Sequence, residues 1–371
     1  MKEIYEKNLK NKENVFYPIG GLANICNDIL DLYSEEIQKY NKIEIIISCQ
    51  LNSFPHIGTI VNFMCAFAIA KKIKKQYTKE VNIIFDCLEN VSAETIEKNG
   101  HTYYISLRDK KVNGKSIAEA NMVYFEDLLK RLNNISGIPF VIRTYDEYQS
   151  LPLVRKIVMQ IIKEYDKLAK ILNPSEKKIH IRTVCPLCKW GEKKVDLQSI
   201  VSTNNENYVI KSECYKHGKF EVGLNAYNKE FIDLNCQLRD LVKGAYLIEK
   251  QKENIYGIMI DGGDWGGLWP LRVFSAGLMA LGYDTLPGRY FTPTITDWAG
   301  TKLSKRLYVG DHAFREFQEG IMNYEKFIEE FGDEGFKKLW KEINQWIDCP
   351  AKFFRDYSVD YLKIVLCSFS N

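Results

Sequence analysis

Three groups of residues in this 371-residue chain have the types and spacing to do chemistry. The first is a pair of short turns, Cys185 and Cys188 spaced C-x2-C and Cys214 and His217 spaced C-x2-H, with 25 residues between the pairs. Two-residue gaps let a tight turn bring both ligands onto one ion, and two such turns complete a tetrahedron of the kind that holds zinc. With four protein ligands no position stays open for a reaction, so the expected Zn²⁺ is structural. The second group is "SFPHIGT", where Pro55, His56, Gly58 and Thr59 lead into an apolar run. The third is "WAGTKLSKRLYVG", where Lys302, Ser304 and Lys305 follow Gly300. Two lysines flanking a serine on a glycine-led loop can reach a triphosphate as point charges on flexible stems.

These groups need elements to position them. The β-branched run "IEIIISCQ" (43–50) has strand length and ends where the His56 loop begins. "TIVNFMCAFAIAKKIKK" has helical length and a basic end, and "VNIIFDCLEN" from residue 81 reads as a second strand. Strand, loop, helix and strand in this order open a parallel α/β sheet. Further on, 116–132 reads as a helix, 138–145 as a strand, 153–172 as one long helix and 231–250 as another. "NIYGIMID" then runs as a strand into the glycine-rich turn "DGGDWGG", a strand end of the kind at which open α/β sheets place ligands. Gly263 and Asp264 in that turn are candidates for nucleotide contact. Between roughly Val184 and Leu224 the chain breaks into short β-like pieces around the four metal-ligand candidates, and from about Asp311 it turns helical and aromatic.

Composition bounds the rest. Apolar residues make up 46% and charged residues 27%, the profile of an ordinary globular protein, and the net charge of +3 neither requires nor excludes nucleic acid. The charged N-terminus "MKEIYEKNLKNKENVF" is unlike a secretory signal, and no apolar run approaches the roughly 20 residues that span a bilayer. Seven of the ten cysteines are scattered singly and three sit in the metal cluster, which fits a reducing compartment. The expectation is a cytoplasmic protein without a membrane partner.

"PHIGT" and "KLSKR", in this order and separated by an α/β domain, resemble the HIGH and KMSKS signatures of class I aminoacyl-tRNA synthetases. The zinc-type insertion and "GIPFVIRTYDEYQS" before a long helix most resemble class I lysyl-tRNA synthetase, over about residues 40 to 310. The resemblance implies a Rossmann-like α/β fold of HUP type with an inserted zinc ribbon and a short helical C-terminal region. Its parts would be residues 1–175 and 231–310 as the two halves of the catalytic domain, 176–230 as the ribbon and 311–371 as the helical end. It implies a ligase that uses ATP and Mg²⁺ to form an aminoacyl-adenylate, of lysine or a relative, and gives it to tRNA or to a non-tRNA acceptor. His56 would touch the triphosphate, Gly58 would let the nucleoside approach the backbone, and Thr59 would add a hydroxyl at the helix start. Lys302 and Lys305 would cover the leaving pyrophosphate. Candidates for the amino-acid pocket are Gln50, Ser53, Asp86, Glu89 and Trp265.

Two features depart from the family pattern. Thr59 stands where the signature usually ends in His, or in Asn in the lysyl branch. The 66 residues after Lys305 allow two or three helices rather than a large anticodon-binding domain, so a tRNA would be held by its acceptor arm.

Overall fold

The computed structural model describes residues 26–204, 206–267, 269–297, 300–303 and 319–367. Its centre is a five-stranded parallel sheet. The strands in chain order are β1 (Lys42–Cys49), β2 (Glu80–Cys87), β5 (Phe140–Thr144), β9 (Ile255–Gly262) and β10 (Gly288–Thr292), and across the sheet they run β10-β9-β1-β2-β5. The chain builds outward from β1 in one direction, then returns to the other side of β1 for the last two strands. That reversal makes the boundary between β1 and β9 the switch point of a Rossmann-type sheet, where the loops leaving the two strands diverge and open a crevice.

Period-two alternation decides what covers each face. Ile43, Ile45 and Ile47 of β1 and Val81, Ile83 and Phe85 of β2 share one core with the helices α1 (Ile57–Tyr77), α2 (Ile117–Ser136) and α6 (Tyr324–Asp348). Ile46 and Ile84 point the other way, into a second core with α3 (Pro152–Lys163), α4 (Tyr165–Leu172) and α5 (Cys236–Lys250). Strands buried on both faces read as continuous apolar runs, as "IEIIIS" does.

Several boundaries differ from the sequence-based expectation. The helix expected over 153–172 is two helices, broken at Glu164, whose φ of −97° and ψ of 23° leave the helical region. No proline or glycine marks the break. It turns α4 toward the segment after α5, where Lys167 donates to the Ala280 carbonyl at 3.1 Å. The helix expected over 231–250 starts only at Cys236, because Asp233–Leu234 pairs as a strand with Ile181–Arg182 and the Asn235 side chain accepts the Leu238 N–H at 3.0 Å. An antiparallel hairpin that the sequence reading leaves unassigned, β3 (Ser92–Lys98) and β4 (His101–Ser106), reaches the metal-ligand region through the short strand Gly191–Glu192. There β6 (Ser199–Asn204), β7 (Asn207–Cys214) and β8 (Gly218–Leu224) form a three-stranded antiparallel sheet. No helix among the described residues is long and apolar enough to cross a membrane.

Candidate active site

A cleft of about 360 Å³ opens at the carboxyl ends of β1 and β9, at the switch point. Its walls come from opposite faces of the sheet. The first turn of α1 forms one wall, with His56, Gly58 and Thr59, and the first turns of α5 form the other, with Cys236, Arg239 and Asp240.

His56 is the N-cap of α1. Its backbone is extended, with φ −96° and ψ 172°, and its Nδ1 accepts the Gly58 N–H at 3.1 Å. Accepting at Nδ1 places the proton of the neutral ring on Nε2. The same bond explains the glycine two residues on: a Cβ at Gly58 would sit 2.9 Å from Cε1 of the His56 ring. Gly58→Ala is therefore expected to push the imidazole off its cap. The melting temperature should fall by an amount equivalent to about 1 kcal/mol, the usual worth of an N-cap, measurable by thermal denaturation of the two proteins.

The end of β9 is shaped by close packing. A Cβ at Gly263 would meet the Thr294 Oγ1 at 2.7 Å and the Thr292 carbonyl at 3.0 Å, so only glycine lets this turn lie against β10. The turn presents Asp264 and Trp265 to the cleft. Opposite them, a tight hairpin is closed by the Asp297 N–H donating to the Thr301 carbonyl at 2.8 Å and by Gly300 at φ +79°. The Leu303 N–H donates to the Ile295 carbonyl and its side chain is buried, which anchors the hairpin in the α1-side core. Lys302, held between these two fixed points, reaches the Asp264 carboxylate at 2.5 Å. Ser304 and Lys305 lie outside the described residues.

Of the residues expected around an amino acid, Gln50, Ser53 and Trp265 line the cleft, whereas Asp86 and Glu89 do not. Asp86 is buried under the cleft floor, paired with Arg143 at 2.7 Å and Lys243 at 2.8 Å. Glu89 accepts the backbone N–H groups of Tyr145 and Asp146 at 3.0 and 3.2 Å, so it caps the helical turn Tyr145–Gln149. The physical reason is the same for both: a carboxylate at a strand end finds an internal donor before it finds solvent, and a buried one must.

The cleft also contains polar residues that the sequence reading passed over. Asp261, on β9, is paired with Arg289 at 2.8 Å; burial pushes its carboxyl pKa up, while Arg289 opposes the shift. Asp240 accepts the Trp269 indole N–H at 2.9 Å and stands 3.8 Å from Arg289. Arg239 is 4% exposed, with no hydrogen bond or ion pair to its guanidinium among the described residues. Spacing alone held a trace of this: Cys236, Arg239 and Lys243 fall on one side of a helix, an unusual load for its inner face.

The four metal-ligand candidates converge. Cys188 Sγ lies 3.4 Å from Cys214 Sγ, and His217 Nδ1 lies 3.4 Å from Cys185 Sγ and 3.8 Å from Cys214 Sγ. A tetrahedral ion about 2.3 Å from each sulfur has edges of about 3.8 Å, so the cluster fits zinc with little movement. Burial raises the Cys185 thiol, but the N–H groups of Cys188 and Leu187 and the His217 ring more than reverse this and bring it to about 7, toward the thiolate a metal needs.

No protein family profile matches the chain, and no curated protein matches it in sequence. Among solved structures, a glutamate-tRNA synthetase from Elizabethkingia anophelis superposes with a TM-score of 0.40 at 13% identity, covering 87% of this chain and 70% of that one. A protein from Campylobacter jejuni described as an arginyl-tRNA synthetase superposes with a TM-score of 0.37 at 10% identity, covering 91% and 71%. Superpositions this loose carry no weight for function, which rests on the cleft.

Proposed function

We propose that the protein is an ATP-dependent ligase that activates an amino acid as its adenylate and passes it to the acceptor end of a tRNA. The observation that carries this reading is the convergence of three separate segments on one cleft at the switch point: the His56-capped start of α1, the Gly262–Asp264 turn and the Lys302 hairpin. Their order and chemistry are those implied by the two signature motifs.

In the proposed reaction a carboxylate oxygen of the amino acid attacks the α-phosphorus of ATP. The bond from that phosphorus to the bridging oxygen breaks, and pyrophosphate leaves in line. Such a step asks for position and charge stabilisation more than for acid–base chemistry. The N-terminus of α1 offers backbone N–H groups and the positive end of the helix dipole to the phosphates, and His56 Nε2–H offers a donor beside them. Lys302, joined by Lys305, neutralises the departing pyrophosphate of the Mg²⁺–ATP complex. Asp264 faces the ribose. Asp86 and Glu89, held by internal partners, leave the lysine suggested by the lysyl-like features without its expected carboxylates.

The zinc expected at Cys185, Cys188, Cys214 and His217 would pin the Cys185–Cys188 turn to the turn between β7 and β8. Metal analysis of the purified protein should find about one zinc per chain at this tetrahedral site. Cys188→Ser should release it and unfold this sheet before the parallel one.

Amino-acid-dependent ATP–pyrophosphate exchange tests the central claim. Exchange with one amino acid, followed by its transfer to bulk tRNA, is the expected result. Silence across all the standard amino acids would defeat adenylation, and exchange without charging would defeat the tRNA acceptor.

A further inference from the structure

We infer that Arg239 is a carboxylate-binding subsite and that the amino acid activated in the cleft carries an acidic side chain, as aspartate and glutamate do; this rests on the adenylation reading above. A guanidinium is always charged, and a buried charge without a partner is costly enough that folded proteins rarely keep one. Arg239 is 4% exposed and lines the cleft, yet no side chain or carbonyl among the described residues meets its guanidinium. Its neighbours are otherwise engaged. Lys243, one turn further along α5, is held by Asp86 at 2.8 Å and by the Ser48 hydroxyl. The three aspartates that line the cleft have partners: Asp261 has Arg289, Asp240 has the Trp269 N–H with Arg289 beyond it, and Asp264 has Lys302. The cation is placed for a ligand.

Which ligand group it meets follows from the two-walled cleft. His56, the α1 N-terminus and the Leu303-anchored Lys302 all stand on the α1 side of the sheet, where the phosphates belong. Arg239 stands on the α5 side. The reacting α-carboxylate must lie toward the α-phosphorus, and it loses its charge when the mixed anhydride forms. A guanidinium bound to that carboxylate would draw electron density from the nucleophile and then be left unpaired in the product state. A carboxylate that survives the reaction, on the side chain, satisfies Arg239 before and after the step. The same geometry disfavours a basic side chain, whose ammonium would sit beside the unpaired cation.

Equilibrium binding, by titration calorimetry on the intact protein, decides it. Aspartate or glutamate should bind at least about tenfold tighter than its side-chain amide, the least that a charge-assisted pair of about 1.4 kcal/mol confers. Glutamate α-amide, which keeps only the side-chain carboxylate, separates that group from the α-carboxylate and should retain this preference. Arg239→Gln should abolish the preference, and Arg239→Lys should restore part of it. The wild-type panel stands even if the variants misfold. Equal affinity for acids and amides, or tighter binding of lysine, would overturn the inference. Binding of the acids without any pyrophosphate exchange would leave the subsite standing and defeat adenylation instead.

Discussion

Asp86→Ala is expected to cost about 3–5 kcal/mol of stability, the usual penalty for stripping a buried ion pair of one partner. Asp86 is the hub of a row laid across three strands by register: Ser48 on β1 pairs with Asp86 on β2, which pairs with Arg143 on β5. Lys243 descends onto this row from α5, touching the Asp86 carboxylate and the Ser48 hydroxyl. Without Asp86, Lys243 stays 1% exposed beside a lone hydroxyl, and Arg143 is left over the Tyr148 and Tyr246 rings. Asp86→Leu combined with Lys243→Met and Arg143→Met removes charge from all three members and should recover most of the loss, because buried ion pairs stabilise little against apolar groups of similar size. Urea melts of the three proteins measure this. A triple variant as unstable as the single would mean that packing, not the stranded charge, sets the cost.

The same carboxylate gives the wild-type protein an acid limb. Burial pushes the Asp86 pKa up, but Lys243 and Arg143 together outweigh that and hold it below the ordinary carboxylate range. A carboxyl depressed in the folded state contributes its full stability above its unfolded-state value of about 3.9, and loses it as pH falls through the lower, folded value. Stability should therefore drop more steeply below pH ~4 in the wild type than in Asp86→Ala, which has already lost this contribution. Ser48 also lines the cleft, so the network that supports the sheet forms part of the cleft floor.

How much of this could be read from residues alone depended on range. "IEIIIS" and "NIYGIMID" identify the two central strands because a strand buried on both faces is apolar throughout, and His56 and Gly58 lie close enough in sequence for their bond to be local. Asp86 and Glu89 were expected in the pocket because a carboxylate ending a strand looks alike whether it faces a ligand or an arginine 57 residues away. Arg239 was overlooked for the reverse reason. Its meaning comes from the absence of a partner among the described residues, and absence is a property of the packed state. The break at Glu164 has no local breaker and follows from how α4 docks. The Lys302 hairpin falls between these cases: its glycine and lysine are visible in sequence, but its anchoring by Leu303 and its ion pair to a residue 38 positions earlier are tertiary.

Lys302→Ala is expected to lower the pyrophosphate exchange rate on the order of 100-fold, as loss of one charge that stabilises a transition state does, while KM for ATP changes by less than about fivefold. The ion pair with Asp264 sets this expectation. Lys302 is 44% exposed and Asp264 29%, so their contact is of the half-solvated kind worth about 0.2–1 kcal/mol. A contact that weak would not hold the lysine against a triphosphate; in the proposed reaction the ammonium would exchange one carboxylate for several phosphate oxygens and release Asp264 to the ribose. Asp264→Asn should then raise KM for ATP about tenfold, the effect of losing one hydrogen bond to a charged acceptor, with kcat little changed. The double variant should depart from additivity by no more than about fivefold, the coupling that an ion pair of up to about 1 kcal/mol allows. If Asp264 served only as a resting partner for Lys302, Asp264→Asn would free the lysine and speed exchange instead, and the ribose assignment would fall while the pyrophosphate role of Lys302 remained.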